Sequence, residues 1–403
     1  MKKVLVIVRS FGLEAPQPIR FKHLISNWRE DIEIHVLRFR INSKENNIRD
    51  NIKIHELNYG KIYRKLFNPY RSKNNVPAAN NKLKKKKNLS GRIKREIKKL
   101  FFPDPLILEY PKIKKKVSAL INEYKYDTVL VSCFPFTLLM LGKVIKQHHS
   151  EIKIMADFGD PFYGSSTIRN NSFRNRLAYL YEKKYLKYVD ELIVVSDLMR
   201  ESYIKCFNKS LHPDSVKVIQ QGFNINIPKS KKKVTDNAER TSLKMIYAGR
   251  FYNKLREPGA LIDALCRSEN ITLDVFGPDS PFNYHKGCNN IIYKGEISND
   301  ELNDLYAEYD IVVFIDNAFG KQIPGKLFEL IATKCPILYI YNEASPCLKI
   351  MHSYKGAVCV LNEQDMVYKE IRDLLQKIKG LTFSYPIDKL SWKNLAEVYK
   401  KSL

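Results

Sequence analysis

Ile311-Val312-Val313-Phe314-Ile315, then Gln322-Ile323-Pro324-Gly325-Lys326-Leu327-Phe328-Glu329-Leu330-Ile331-Ala332, then Pro336-Ile337-Leu338-Tyr339-Ile340, reads as strand, loop, helix and strand. The first run is almost wholly β-branched, which suits a parallel strand covered on both faces. Pro324 is placed to open a helix, where its missing N–H costs little and its fixed φ helps. Leu327, Phe328, Ile331 and Ala332 fall at helical spacing and give that helix one apolar face, with Glu329 off it. A loop leaving the carboxyl end of a parallel strand and entering a helix N-terminus is where open α/β sheets hold phosphates.

Around this unit the chain has 403 residues, more than one ordinary core accommodates, so two domains are expected. With 44% apolar and 28% charged residues it is globular. No apolar run reaches the roughly 18–20 residues that span a bilayer. Residues 1–9 have too short an apolar run for a secretion signal and fit a first strand, so a cytosolic location is expected. The seven cysteines include no Cys-x-x-Cys pair and no accompanying His cluster, which argues against a metal site or a disulfide frame. The net charge of +26 points to anionic company: nucleic acid, anionic lipid or phosphorylated small molecules.

Along the chain, strands at 3–8 and 32–39 flank a helix that starts near Pro18. The loop between them has one glycine, Gly12, and lacks Gly-x-Gly-x-x-Gly, so a dinucleotide cofactor is poorly supported. Residues 61–116 form a strongly basic insertion. Within it Ile93, Ile97, Leu100 and Phe101 recur at helical spacing between lysines and arginines. Such a helix either lies on an anionic membrane surface or packs its stripe on the domain, and the aromatic end favours the membrane. Strands follow at 128–132, 152–156, 191–195 and 216–219, with Ser196 capping a helix. Residues 226–242 read as a linker. A second α/β unit runs through strands at 243–248, 271–276, 290–293, 311–315, 337–340 and 358–361. In it Ser298-Asn299-Asp300-Glu301 forms a capping box.

Chemistry clusters at strand ends. Gly249 allows close backbone approach after a buried strand, and Arg250, Lys254 and Arg256 add cations at that end. Asp157 and Asp160 follow a buried strand of the first half. They either position and deprotonate a hydroxyl or only shape the turn around Gly159 and Pro161.

In order and spacing these pieces resemble the GT-B fold glycosyltransferases, in particular the family 4 retaining enzymes of bacterial polysaccharide assembly. The resemblance is carried by Pro16 to Arg20, by Ser132-Cys133-Phe134-Pro135-Phe136 and by Asp157-Phe158-Gly159-Asp160-Pro161-Phe162. It continues through Asp190 to Ser196, Gln221-Gly222-Phe223-Asn224, Gly249 to Pro258, Pro324 to Glu329 and Ser391-Trp392. It implies two doubly wound Rossmann-like domains facing a cleft. The first, 1–225, is acceptor-binding and contributes Gly12 and Arg20. The second, 243–385, binds a nucleotide sugar, and a helix within 386–403 returns to the first.

By the same resemblance Arg256 stabilises charge on the leaving diphosphate, and Glu329 accepts hydrogen bonds from ribose hydroxyls. Gln322, Ile323, Pro324, Gly325 and Lys326 complete the donor loop, with Lys321 standing where the family has a second glutamate. The implied activity is sugar transfer from a nucleoside-diphosphate donor to a lipid-linked or polysaccharide acceptor, with retention, at the inner membrane face. No metal or other cofactor is expected, and no nucleic acid partner. A GT-B-shaped epimerase and a basic nucleic-acid-binding protein are the alternatives that the same charge and fold admit.

Overall fold

The structure is a computed structural model. It describes residues 1–13, 15–28, 32–40, 52–67, 96–165, 168, 171–223, 241–252, 254–278, 288–320, 323–343, 345–383, 385 and 387–403. Two compact units result: Met1–Gln220 with Leu395–Leu403, and Gln221–Asn394. The boundary after residue 220 lies earlier than the expected 225. Phe223 is buried in the second unit's core and bridges Ser391 there. Most of the expected linker, 226–240, lies outside the described residues.

The first unit holds seven parallel strands, β1 (Lys2–Ile7), β2 (Ile32–Phe39), β3 (Ile52–Leu57), β4 (Thr128–Ser132), β5 (Lys153–Phe158), β6 (Glu191–Val194) and β7 (Val216–Val218). Their order is β3-β2-β1-β4-β5-β6-β7, so the chain reverses direction across the sheet between β1 and β4. The register puts Ile7 beside Val131, and Ser132 beside Asp157. Helix α1 (Pro16–Ser26) buries Arg20, Phe21, Leu24 and Ile25. The expected basic insertion resolves partly into ordinary cover. Helix α2 (Lys61–Phe67) buries Tyr63, and α3 (Tyr110–Tyr124) buries Ile113, Val117, Leu120 and Ile121. Lys112 and Lys114 to Lys116 thus ride on a helix whose apolar stripe already faces the core, as an ordinary surface helix would. Helix α4 (Met140–His148) follows β4, and α5 (Ser172–Tyr185) and α6 (Asp197–Phe207) flank β6. The capping expected of Ser196 is made, its hydroxyl accepting from the Met199 N–H.

The second unit holds six parallel strands, β8 (Leu243–Ala248), β9 (Ile271–Phe276), β10 (Ile291–Gly295), β11 (Ile311–Ile315), β12 (Ile337–Tyr341) and β13 (Ala357–Leu361). They run β10-β9-β8-β11-β12-β13, with the switch between β8 and β11. Helices α7 (Gly259–Cys266), α8 (Asn299–Leu305), α9 (Gly325–Ala332), α10 (Leu348–Ser353) and α11 (Gln364–Lys377) complete this unit's layers. The Ser298–Glu301 capping box opens α8. Strands β11 and β12 are buried almost throughout, as their unbroken apolar runs require.

The last helix, α12 (Trp392–Lys400), brings Tyr399 and the chain end into the first unit. Thr128 Oγ1 donates to the Leu403 carbonyl (3.0 Å), and Lys153 Nζ to that of Ser402 (2.5 Å).

Candidate active site

In the second unit the switch point gathers a basic recess. β8 ends in Ala248 and Gly249, and the next turn is folded by two backbone bonds between Tyr252 and Arg256. These aim Arg256 back toward the end of β11, where its Nη2 donates to Asn317 Oδ1 at 2.9 Å. Arg256 Nε is buried with no hydrogen-bond partner among the described residues. Lys326, one residue into α9, donates from Nζ to the Ala248 carbonyl at 2.6 Å. Burial, and secondarily Arg256, act against Lys326's charge; with Glu329 opposing them, its pKa comes down to about 8. Among the described residues neither cation has a carboxylate in ion-pair contact. The two line a cavity of about 40 Å³ with Tyr247, Ala248, Tyr306 and Pro324.

Close packing shapes this recess. A Cβ on Gly325 would stand 2.7 Å from Gln221 Cγ, so glycine lets the start of α9 approach that side chain. Gly277, at φ +150°, packs against the Gly249 carbonyl, which a Cβ there would meet at 2.2 Å. Pro324 is the N-cap of α9 and not its first helical residue, with φ −61° and ψ 130°. Glu329 lies off the apolar face of α9, among surroundings that raise its carboxyl above the usual range, with Lys326 partly offsetting them. Asp316, buried at the end of β11, accepts from Tyr339 Oη at 2.7 Å.

Other expected donor residues fall elsewhere. Arg250 is exposed, its guanidinium 5.9 Å from the Tyr252 ring. Lys254 is exposed at φ +62°, its N–H bonded to Glu257 Oε1. Ile323 turns its side chain into the core, so only its backbone is left for a ligand. Lys321 and Gln322 lie outside the described residues.

In the first unit the expected pair of aspartates separates. Asp157 is wholly buried, and its Oδ2 accepts from Arg20 Nε (3.2 Å), Arg20 Nη2 (3.1 Å) and Tyr399 Oη (3.0 Å). Arg20 also donates to the Ile219 and Gln220 carbonyls. Asp157 is therefore the counter-ion of a buried arginine, which corrects its assignment as a group meeting substrate. Arg20, wholly buried in the same network, is corrected likewise as an acceptor contact. Its place on the buried face of α1 explains both. Asp160 stays at the surface, and burial by nearby groups raises its carboxyl. Its loop is pinned by a residue that the sequence did not single out. Glu182, wholly buried, accepts from the Phe162 and Tyr163 N–H groups and from Tyr203 Oη. Desolvation pushes Glu182 up to about 7 against the pull of those donors. Gly12 sits in the β1–α1 loop at φ +96°, a conformation that suits glycine.

Of the expected membrane stripe, Ile93 lies outside the described residues. Ile97 and Phe101 are half-buried, Phe101 edge-on to Phe67, and only Leu100 is turned out, at 80% exposure. Arg174 ties this turn to α5 through the Lys99 and Phe101 carbonyls, next to Phe173, which is 72% exposed.

Asn317 and Gly277 also went unpredicted, as did the contact that Gln221 makes. The signals for the first two were the polar pair Asp316-Asn317 and the Gly-Pro after a buried strand. Gln221 belongs to the turn that carries the resemblance, but its contact with Gly325 had no signal, since it spans more than a hundred residues.

Two doubly wound parallel sheets of this topology are the GT-B architecture. The fold is similar over the whole chain to that of sucrose-phosphate synthase from Thermosynechococcus elongatus, at 12% identity and a TM-score of 0.65, covering 99% of that protein. It is similar to Anabaena HepE, solved with UDP and glucose, at 13% identity and TM-score 0.62, again covering 99%. It also matches the lipopolysaccharide outer core galactosyltransferase WaaB at 12% identity and TM-score 0.59, over the full length of both chains. Residues 256–380, which begin at Arg256 and include α9, match the glycosyl transferase-like family model. The chain has the GT-B fold, and the part of it that carries Arg256, Lys326 and Glu329 is glycosyl transferase-like in sequence. Among curated protein sequences, none matches.

Proposed function

We propose that this enzyme moves a sugar from a nucleoside-diphosphate donor, held by the second unit, to a hydroxyl of a lipid-linked or polysaccharide acceptor on the first. The observation that carries the donor assignment is the Arg256–Lys326 pair. Two cations lie close together at a switch point, beside a helix N-terminus, with no carboxylate among the described residues bonded to either. A diphosphate supplies the missing counter-charge. As the glycosidic bond breaks, negative charge grows on the leaving phosphate, and fixed cations stabilise that state more than the ground state. Glu329, an acceptor-only carboxylate one turn into α9, suits the ribose diol. The fixed cations make a metal unnecessary to this reading, and retention of configuration accompanies the family 4 resemblance. That HepE binds UDP and glucose favours a uridine nucleotide.

Acceptor chemistry falls to Asp160, whose raised carboxyl suits hydrogen bonding to, or deprotonation of, the attacking hydroxyl. WaaB's outer-core substrate favours a glycan built on a lipid. Leu100 and Phe173, exposed beside Lys98 and Lys99, are the contacts offered to an anionic membrane. No helix of the described residues is long and apolar enough to cross one.

The test is release of nucleoside diphosphate from a panel of nucleotide sugars by purified protein. Activity with one donor is expected; folded protein inert toward all of them overturns the reading. For the membrane, Leu100→Asp with Phe173→Asp is expected to abolish flotation with anionic vesicles, and unchanged flotation overturns that part.

A further inference from the structure

Arg9 stands at the carboxyl end of β1, beside the first unit's switch point. It lies in the turn two residues beyond β1, whose Leu5 and Ile7 are in the core with Tyr59, Tyr63 and Leu106. Its charge is felt there by the Tyr63 phenol and the Asp104 carboxyl. Yet Asp104 is fully engaged elsewhere. It accepts from Leu106 N (2.9 Å), Thr137 N (2.9 Å) and Thr137 Oγ1 (2.9 Å), and it makes no ion pair with Arg9.

The other buried arginines of this unit are neutralised, Arg20 by Asp157 at 3.1 Å and Arg38 by Glu56 at 2.9 Å. Arg9 is half-buried, its Nε is wholly enclosed, and its side chain has no hydrogen-bond or ion-pair partner among the described residues. Burying a cation without a counter-ion is costly, so the arrangement makes physical sense when a ligand supplies the anion. The planar guanidinium matches a phosphate or a carboxylate bidentately.

Two further features belong to the same strand ends. Ile7 pairs with Val131, and the chain leaves these neighbouring strand ends through Arg9 on one side and, on the other, through Cys133 and Phe134, which is 57% exposed. A large exposed ring gives the apolar face of a sugar something to cover. Gln17 Oε1 and Ser132 Oγ are also buried at these ends without partners among the described residues, and Gln17 packs against Gly159.

We propose that the acceptor is an anionic sugar, its phosphate or carboxylate read by Arg9 and its ring resting on Phe134. The proposal rests on the assignment of the first unit as the acceptor side. Calorimetric titration tests it with glucose 6-phosphate, glucuronate and glucose as probes, each with and without saturating UDP to occupy Arg256 and Lys326. Wild-type protein is expected to bind one anionic sugar at least tenfold more tightly than glucose in the presence of UDP. Arg9→Gln removes that preference and Arg9→Lys keeps part of it, and which probe wins tells a phosphate from a carboxylate. Equal binding of all three sugars by the wild type, or an undiminished preference in Arg9→Gln with unchanged melting temperature, overturns the proposal. UDP affinity is read in the same titrations. Its absence in the wild type counts against the donor assignment, while the arm without UDP still reports on Arg9.

Discussion

Arg20 and Arg256 stand near the strand ends of their respective units, and their surroundings differ in one respect. Arg20 is wholly buried against Asp157, with Tyr399 and two carbonyls completing the shell. Arg256 is half-buried, bonded to neutral groups, the Asn317 amide and the Tyr247 hydroxyl, with Lys326 close enough for their like charges to interact. A cation with its counter-ion built in is part of the scaffold. A cation kept without one is poised for an anion from outside. The same distinction sets Arg9 apart from Arg20 and Arg38.

The largest effect is expected where the internal pair is broken. Asp157→Leu leaves Arg20 charged and buried without its counter-ion and is expected to cost about 3–5 kcal/mol of stability, measured by urea unfolding. An unfolding midpoint unchanged from wild type breaks the contrast. Next, Arg256→Ala is expected to lower kcat by roughly 10²–10³ with little change in stability, the cost of removing one transition-state donor. Arg250→Ala, whose side chain lies over Tyr252 in solvent, serves as the near-neutral companion. Equal losses in the two variants would remove Arg256 from its role.

Glu329→Ala is expected to weaken donor binding by about tenfold, equivalent to about 1.4 kcal/mol, with a smaller change in kcat. A loss confined to kcat would move Glu329 from ribose contact to chemistry. The smallest effect is a pH dependence. Lys326 titrates near 8, so its charge is present below that pH and lost as pH rises through it. Donor affinity is expected to fall a few-fold between pH 7 and 9, with bound diphosphate pushing the midpoint upward. Lys326→Arg, charged throughout, is expected to flatten the profile, and a slope unchanged by that substitution would place the titration elsewhere.

Much of this was legible in the sequence because it is local. The unbroken apolar runs of β11 and β12 announce strands buried on both faces. The Pro324-Gly325 step fixes the start of α9, and the Ser298–Glu301 box opens α8. Strand, loop and helix at 311–332 locate a recess for phosphate without any knowledge of the rest of the chain. Arg256 was legible as a cation near a strand end, but not that its turn would fold it back onto Asn317.

What the sequence could not separate was roles among residues of the same type. Asp157 and Asp160 lie three apart around one glycine and one proline, and either suits catalysis. Alternation along β5 and its register with Ser132 send Asp157 inward, where α1 and the last helix meet it with Arg20 and Tyr399. Lys254, Arg250 and Arg256 look alike as a basic cluster, yet the Tyr252–Arg256 bridge turns one inward and leaves two in solvent. Ile93, Ile97, Leu100 and Phe101 read as one amphipathic stripe, but α2 supplies Phe67 to cover Phe101. Periodicity within a segment determined the strands, helices and phosphate-binding loop, because it depends on neighbours in the chain. Which charges are neutralised and which are left for a ligand was decided by tertiary structure, because a counter-ion 137 residues away, as Asp157 is from Arg20, leaves no mark on local sequence.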